Sequence, residues 1–167
     1  MKEGLPAIVL ETSAAIAYLG SEPEWPDVEG LVQLAEQERV VLFMSDFAWN
    51  EIRPHRTHDK HRLNRLKKTA RIIPKVARLG EWLLGEDALG HDSSHEIEAS
   101  LAPPVGRSRP DVEQFLSYCA QLDADFFVTT DGGFLKDNAK AQVHDRFGFR
   151  VGRPADCVEW LRDRNLL

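Results

Sequence analysis

Three short, largely apolar runs limit what this chain can fold into: AIVLE at 7–11, VVLFM at 40–44 and DFFVTT at 125–130. Each is strand-length and rich in β-branched or aromatic residues. None alternates apolar with polar residues, so each reads as a strand buried on both faces. Helical patterns separate them. TSAAIAYLG follows the first run, Ala-rich, with Gly20 as its stop. A second helix is expected over 26–38, with Pro26 in its first turn and Val28, Leu31, Val32 and Ala35 on one face. Ser45 or Asp46 caps a helix carrying Trp49, Glu51 and Ile52. A last strand, FRV at 149–151, leads into the helical PADCVEWLRDR. Strands alternating with helices predict an α/β domain built on a mostly parallel sheet.

The rest of the chain is expected to be helix and loop within a single domain, 1–167. Leu63, Leu66, Ala70 and Ile73 stand at helical spacing and predict an amphipathic helix broken near Pro74, with another over about 75–84. Residues 85–108 are polar and dotted with Pro and Gly, a loop-rich insertion in which Ser93–Glu96 forms a capping box. Pro110 opens a helix with Val112, Phe115, Cys119 and Leu122 as its apolar stripe. No apolar run approaches the roughly 18–20 residues that span a bilayer. The N-terminal MKEGLPAIVL lacks the layout of a signal peptide. Two cysteines far apart, Cys119 and Cys157, fit core positions in a reducing cytoplasm better than a disulfide or zinc framework.

Ligands in open parallel sheets bind beyond the carboxyl ends of the strands. Acids recur at such ends here. Glu11 follows the first strand, Asp131 follows DFFVTT, and Glu51 lies in the helix after VVLFM. Asp111 opens the helix that precedes DFFVTT, and at roughly 100° per residue it projects toward the Phe115–Leu122 stripe. Four carboxylates at one sheet edge repel one another unless a cation joins them. Mg2+ or Mn2+, hard and oxygen-seeking, suits that edge, and two such ions can align a water for in-line attack on a phosphodiester. Thr12, Ser13, Thr129 and Thr130 add hydroxyls that hold a water or phosphate oxygen, or that simply cap the helices after each strand.

These residues resemble the PIN-domain family. Its Asp-Thr-Asn/Ser turn after strand one reads Glu11-Thr12-Ser13 here, and SDFAWNEI supplies its second-strand helix Glu as Glu51. LDADFFVTTD matches its strand motif, with Asp131 as the site acid and Asp125 as a structural echo, and VGRPADCVEWL matches its C-terminal pattern. The likeness spans most of 6–163 and is weakest over 54–108. Two positions depart from the pattern. Glu11 is one methylene longer than the usual Asp, and Asp111 falls one residue before the expected acid, at Val112. The resemblance implies a three-layer sandwich with four or five sheet strands. It also implies a metal-dependent endoribonuclease in which Glu11, Glu51, Asp111 and Asp131 bind Mg2+ or Mn2+ and carry catalysis. Many bacterial members are VapC-type toxins, which implies an antitoxin protein as partner, and many dimerise.

Charge is distributed unevenly. Residues 53–78 hold ten Lys/Arg and a single acid, Asp59, for a net +9, while the remainder of the chain is −15. An acidic body with one basic arm suggests a polyanion partner or an acidic protein. With the resemblance, RNA is the expected ligand of Arg53, Arg56, Lys60, Arg62, Arg65, Lys67 and Lys68, with salt-sensitive affinity. His55, His58 and His61 drift slowly round one helix side without further ligands nearby, which argues against zinc. Trp25 and Trp49 are better core or surface residues than base-stacking platforms.

Competing readings are separable. A PIN-like domain with a degenerate site grips RNA or protein without cutting. A phosphatase-like domain needs an Asp-x-Asp nucleophile after strand one, which Glu11-Thr12-Ser13 does not supply. A receiver-like domain needs an early acidic pair and a Lys near the acids, and neither is evident.

Overall fold

β1 (Ala7–Leu10) is the middle strand of a five-stranded, all-parallel sheet of order β3-β2-β1-β4-β5. The computed structural model describes residues 4–52, 59–73 and 124–167. In chain order, α1 (Thr12–Gly20), α2 (Trp25–Glu36), β2 (Val41–Ser45) and α3 (Asp46–Ile52) follow β1. α4 (Lys60–Thr69), β3 (Arg71–Ile73) and β4 (Phe126–Val128) come next, and then α5 (Asp137–Phe147), β5 (Arg150–Gly152) and α6 (Pro154–Arg162). Helices cover the sheet, giving the α/β sandwich expected from the alternating pattern. The helix expected over 75–84, the insertion at 85–108 and the helix opened by Pro110 lie outside the described residues. No helix among the described residues is long and apolar enough to cross a membrane.

Side-chain alternation along the strands divides the interior. Ile8 and Leu10 of β1, Leu42 and Met44 of β2, and Phe126 and Val128 of β4 join one cluster with Tyr18, Val28, Leu31, Val32, Trp49, Leu66 and Leu161. Val9 and Phe127 are equally buried and point to the other face, where Phe127 meets Phe134 at 5.5 Å. Trp49 therefore belongs to the core. Cys157 is buried too, and burial pushes its thiol well above the usual range.

Three local outcomes differ from expectation. The left-handed residue that ends α1 is Ser21 (φ 58°), one position past Gly20, and its N–H closes on the Ala17 carbonyl. The helical pattern assigned to Leu63–Ile73 stops at Thr69, and Arg71–Ile73 forms the edge strand β3, paired to Phe43–Ser45. Two adjacent β-branched residues, Ile72 and Ile73, suit a strand better than the last turn of a helix. α5 was not expected at all. Its sequence DNAKAQVHDRF is mostly polar, with Ala139 and Val143 as its deeply buried positions, so its apolar period is too thin to stand out.

α4 is tied to α1 and α2 by its two inward arginines. Arg65 bonds Glu29 at 2.5 Å and Glu36 at 2.7 Å, and the Tyr18 hydroxyl donates to the second Glu29 oxygen at 2.9 Å. Arg62 donates to the Tyr18 carbonyl at 2.9 Å and the Ser21 hydroxyl at 2.7 Å, and lies 4.0 Å over the Trp25 ring. Burial alone raises the Glu29 carboxyl, but hydrogen bonds from Arg65, Gln33 and Tyr18 outweigh it and hold the group below the ordinary value of 4.5. The Arg65 hydrogen bond does the same for Glu36. Burial and the Glu29 bond push the Tyr18 phenol far up, so it stays a donor.

Both glutamates are depressed in the folded chain. Their contribution is therefore complete above the ordinary glutamate range and disappears as pH falls through the lower folded values. Arg65→Ala is expected to cost about 1–2 kcal/mol near neutrality, since it leaves the half-buried Glu29 without its cation. The gap in melting temperature between wild type and variant should close as pH is lowered from about 6 to about 3. A gap that stays constant over that range would show that the clamp does not contribute through these carboxylates.

Candidate functional site at the β1–β4 rim

The chain leaves β1 toward β2 on one side, while β4 and β5 lie on the other. The strand order therefore reverses between β1 and β4, the place where open α/β sheets form a crevice beyond their carboxyl ends. Register brings the two strands to the same height: Leu10 stands opposite Val128, and the Glu11 N–H donates to the Val128 carbonyl at 2.9 Å. Glu11 and Thr129 thus leave the sheet side by side.

Short hydrogen bonds join the two strand ends. Glu11 is the N-cap of α1, and its Oε2 accepts the Ser13 N–H at 2.9 Å. The same oxygen accepts the Ser13 hydroxyl, in a short contact, and the Thr129 hydroxyl at 3.1 Å. Each hydroxyl, its proton given to Glu11, takes a backbone donor from the β4 side. The Thr130 N–H donates to Ser13 Oγ and the Asp131 N–H to Thr129 Oγ1, both at 3.0 Å. Two parallel relays therefore run from the backbone after β4 through a hydroxyl to one carboxylate oxygen. The other oxygen, Glu11 Oε1, has no hydrogen bond among the described residues.

Asp131 lies immediately beyond Thr130. Its Oδ1 accepts the Gly133 N–H at 2.8 Å, an Asx turn that fixes the carboxyl at the crevice. The Asp131-Gly132-Gly133 sequence is a turn signal of this kind. Gly152 is a residue that the motifs did not single out: its carbonyl accepts the Thr129 N–H at 3.0 Å and so holds the hydroxyl that supports Glu11. An isolated Gly in a strand pattern, signalling close backbone approach, is the cue for it.

Of the predicted acids, Glu11 and Asp131 follow neighbouring strand ends, where Thr129 Oγ1 donates to the Glu11 carboxylate and accepts the backbone N–H of Asp131. Glu51 is on α3, which leaves the sheet at Ser45; its side chain is exposed and makes no hydrogen bond to the Glu11 network among the described residues. Asp111 lies outside the described residues. Among those that are described, no three His, Cys, Asp or Glu side chains are grouped to hold a metal ion. Of the hydroxyls, Ser13 and Thr129 carry the relays. Thr130 contributes its N–H. Thr12 Oγ1 is buried without a hydrogen-bond partner among the described residues.

The donors at this rim are carboxylate and hydroxyl oxygens, with no thiolate or imidazole among the described ones. That chemistry fits a hard divalent cation. Glu11 Oε1 and the Asp131 carboxylate are the groups that would hold it, and Thr12 Oγ1 is a buried polar atom that the chain's own described atoms do not satisfy.

The predicted RNA-binding residues also separate. Arg62 and Arg65 are turned into the body, as described above. Lys60, Lys67 and Lys68 are exposed on α4, and so is His61. Arg53, Arg56, His55 and His58 lie outside the described residues. Trp25 is covered by Arg62. No protein-family model matches the chain, and no curated protein matches it.

Proposed function

We propose that this chain is a metal-dependent endoribonuclease of the PIN-domain type, hydrolysing RNA phosphodiester bonds at the β1–β4 rim. The observation that carries the reading is that Glu11 and Asp131 follow the adjacent ends of β1 and β4 where the strand order reverses, with Thr129 Oγ1 bridging the Glu11 carboxylate and the Asp131 backbone N–H. Support also comes from the resemblance of Glu11-Thr12-Ser13, Glu51 and LDADFFVTTD to that family's motifs. The toxin role and the antitoxin partner enter this proposal through the family resemblance.

When bound, Mg2+ or Mn2+ supplies electrostatic stabilisation of the charge that develops on a phosphoryl centre under attack. The chain's own residues do the positioning. Three donors on Glu11 Oε2 fix the plane of that carboxylate and leave Oε1 directed away from them. The Asx turn fixes Asp131. Holding ligands rigidly before the substrate arrives is what makes such a site effective, because nothing need reorganise during the reaction.

The test is cleavage of a fluorogenic RNA by the full chain with Mg2+ or Mn2+, against the same reaction in EDTA. Metal-dependent cleavage is expected. A specific feature favours one alternative, a site that binds without cutting: Glu11 Oε2 already serves fully as a helix cap. RNA binding with no cleavage under any divalent cation would select that alternative.

A further inference from the structure

α4 presents two different cationic faces. At about 100° per residue, Lys60, His61, Asn64, Lys67 and Lys68 fall within one arc of roughly 120°. All five are exposed, and none has an ion-pair partner among the described residues. The opposite side carries the buried Leu66 and Arg62, which is committed to Tyr18 and Ser21, while Arg65 flanks the arc and is committed to Glu29 and Glu36. The helix that looks uniformly basic in sequence is thus divided into a structural side and a lysine side without ion pairs among the described residues.

The fold also relates this face to the rim. The Asp59 N–H, at the entrance to α4, donates to the Leu19 carbonyl at the far end of α1, at 3.1 Å. The near end of α1 is capped by Glu11. With nine residues, α1 separates the entrance of α4 from the rim by about 13 Å. From Lys60 to Lys68 the face runs a further span of about 12 Å.

We infer that the Lys60–Lys67–Lys68 face of α4 is a track for the phosphate backbone of single-stranded RNA, outside the cleavage rim. The inference rests on the ribonuclease reading for its choice of polyanion. Charge complementarity carries it: the arc itself holds no acid, Asp59 standing just outside it as the α4 N-cap, on a body whose remaining charge repels RNA. Asn64, between the lysines, is neutral and a hydrogen-bond donor, which suits phosphate or base edges. Because the face stands apart from the rim, only a strand long enough to reach both gains from it.

The experiment is fluorescence anisotropy of labelled oligouridine, a tetranucleotide and a dodecanucleotide, titrated with the full chain in EDTA across a KCl series. The triple variant Lys60→Gln, Lys67→Gln, Lys68→Gln is compared with wild type. At about 0.7 per phosphate neutralised on a single strand, the logarithmic salt slope for the dodecanucleotide should become shallower by about 2. The tetranucleotide should lose little. Single Lys67→Gln should take about one third of that change, which guards against a triple variant that fails to fold. An unchanged slope in a folded triple variant overturns the proposal. So does a variant that loses polyglutamate binding while keeping RNA binding, because the face would then serve an acidic protein. Binding in EDTA needs no catalysis. Lysine-dependent binding without metal-dependent cleavage therefore removes the nuclease reading alone, and cleavage with an unchanged salt slope removes the lysine track alone.

Discussion

Asp131→Asn is expected to lower metal-dependent RNA cleavage by about 100-fold or more while leaving the fold intact. The two effects separate because Asp131 has two roles. Its Oδ1 accepts the Gly133 N–H, and an Asn oxygen accepts the same bond, so the turn survives. What Asn removes is one negative charge at the rim, and a cation held there stabilises the developing phosphoryl charge by several kcal/mol, each 1.4 kcal/mol being tenfold in rate. Melting temperature should move by about 1–2 °C, since the exchange keeps the size of the side chain and the Asx turn it makes. Glu11→Ala should behave differently. It removes the α1 cap, for about 0.5–2 kcal/mol, and leaves the Ser13 and Thr129 hydroxyls without their common acceptor. Activity and stability should therefore fall together in Glu11→Ala and come apart in Asp131→Asn. If Asp131→Asn cleaves RNA at the wild-type rate, the rim is not the reaction site.

The rim was legible in sequence because each of its halves follows an unmistakable strand. AIVLE and DFFVTT can be little else, and an acid at or just beyond the end of a buried parallel strand stands at a carboxyl edge. What sequence could not supply is adjacency. That β1 and β4 are neighbours, with Leu10 level with Val128, depends on the crossover of the chain, and no local pattern encodes it. The same limit applied to the basic arm. Charge counting treats Arg62 and Arg65 like Lys60 and Lys67, although the two arginines are consumed by partners on α1 and α2 that lie 29–44 residues earlier in the chain. A guanidinium makes several directed bonds at once, which is why the inward positions of α4 are Arg and the outward ones Lys. β3 and α5 escaped notice for a simpler reason: three residues are too few, and two buried side chains too sparse, to establish a period.

Gly152→Ala is the substitution expected to damage the fold most for the smallest change in atoms. A Cβ at this position would lie 2.9 Å from Asp156 Cβ, Asp156 Oδ2 and Phe126 Cζ together. None of these gives way cheaply. Asp156 Oδ2 accepts the Arg153 N–H at 2.8 Å at the start of α6, and the Phe126 ring packs on Trp160 at 5.5 Å. The added methyl must therefore move β5 away from α6, or β4 away from its core partner. Overpacking of this kind costs about 1–3 kcal/mol, and contact on two sides places Gly152 at the upper end of that range. The melting temperature should fall by about 5–10 °C. Gly132→Ala is the natural comparison, because its Cβ would meet nothing within 4 Å, and it should melt close to wild type. The consequence at the rim is separate from stability. The Gly152 carbonyl receives the Thr129 N–H at 3.0 Å, and Thr129 Oγ1 donates to Glu11, so a displaced β5 loosens the support of that carboxylate. Assayed well below its melting point, Gly152→Ala should still cleave RNA more slowly than wild type. Full activity in a folded but destabilised Gly152→Ala chain would mean that Glu11 keeps its orientation without the β5 contact.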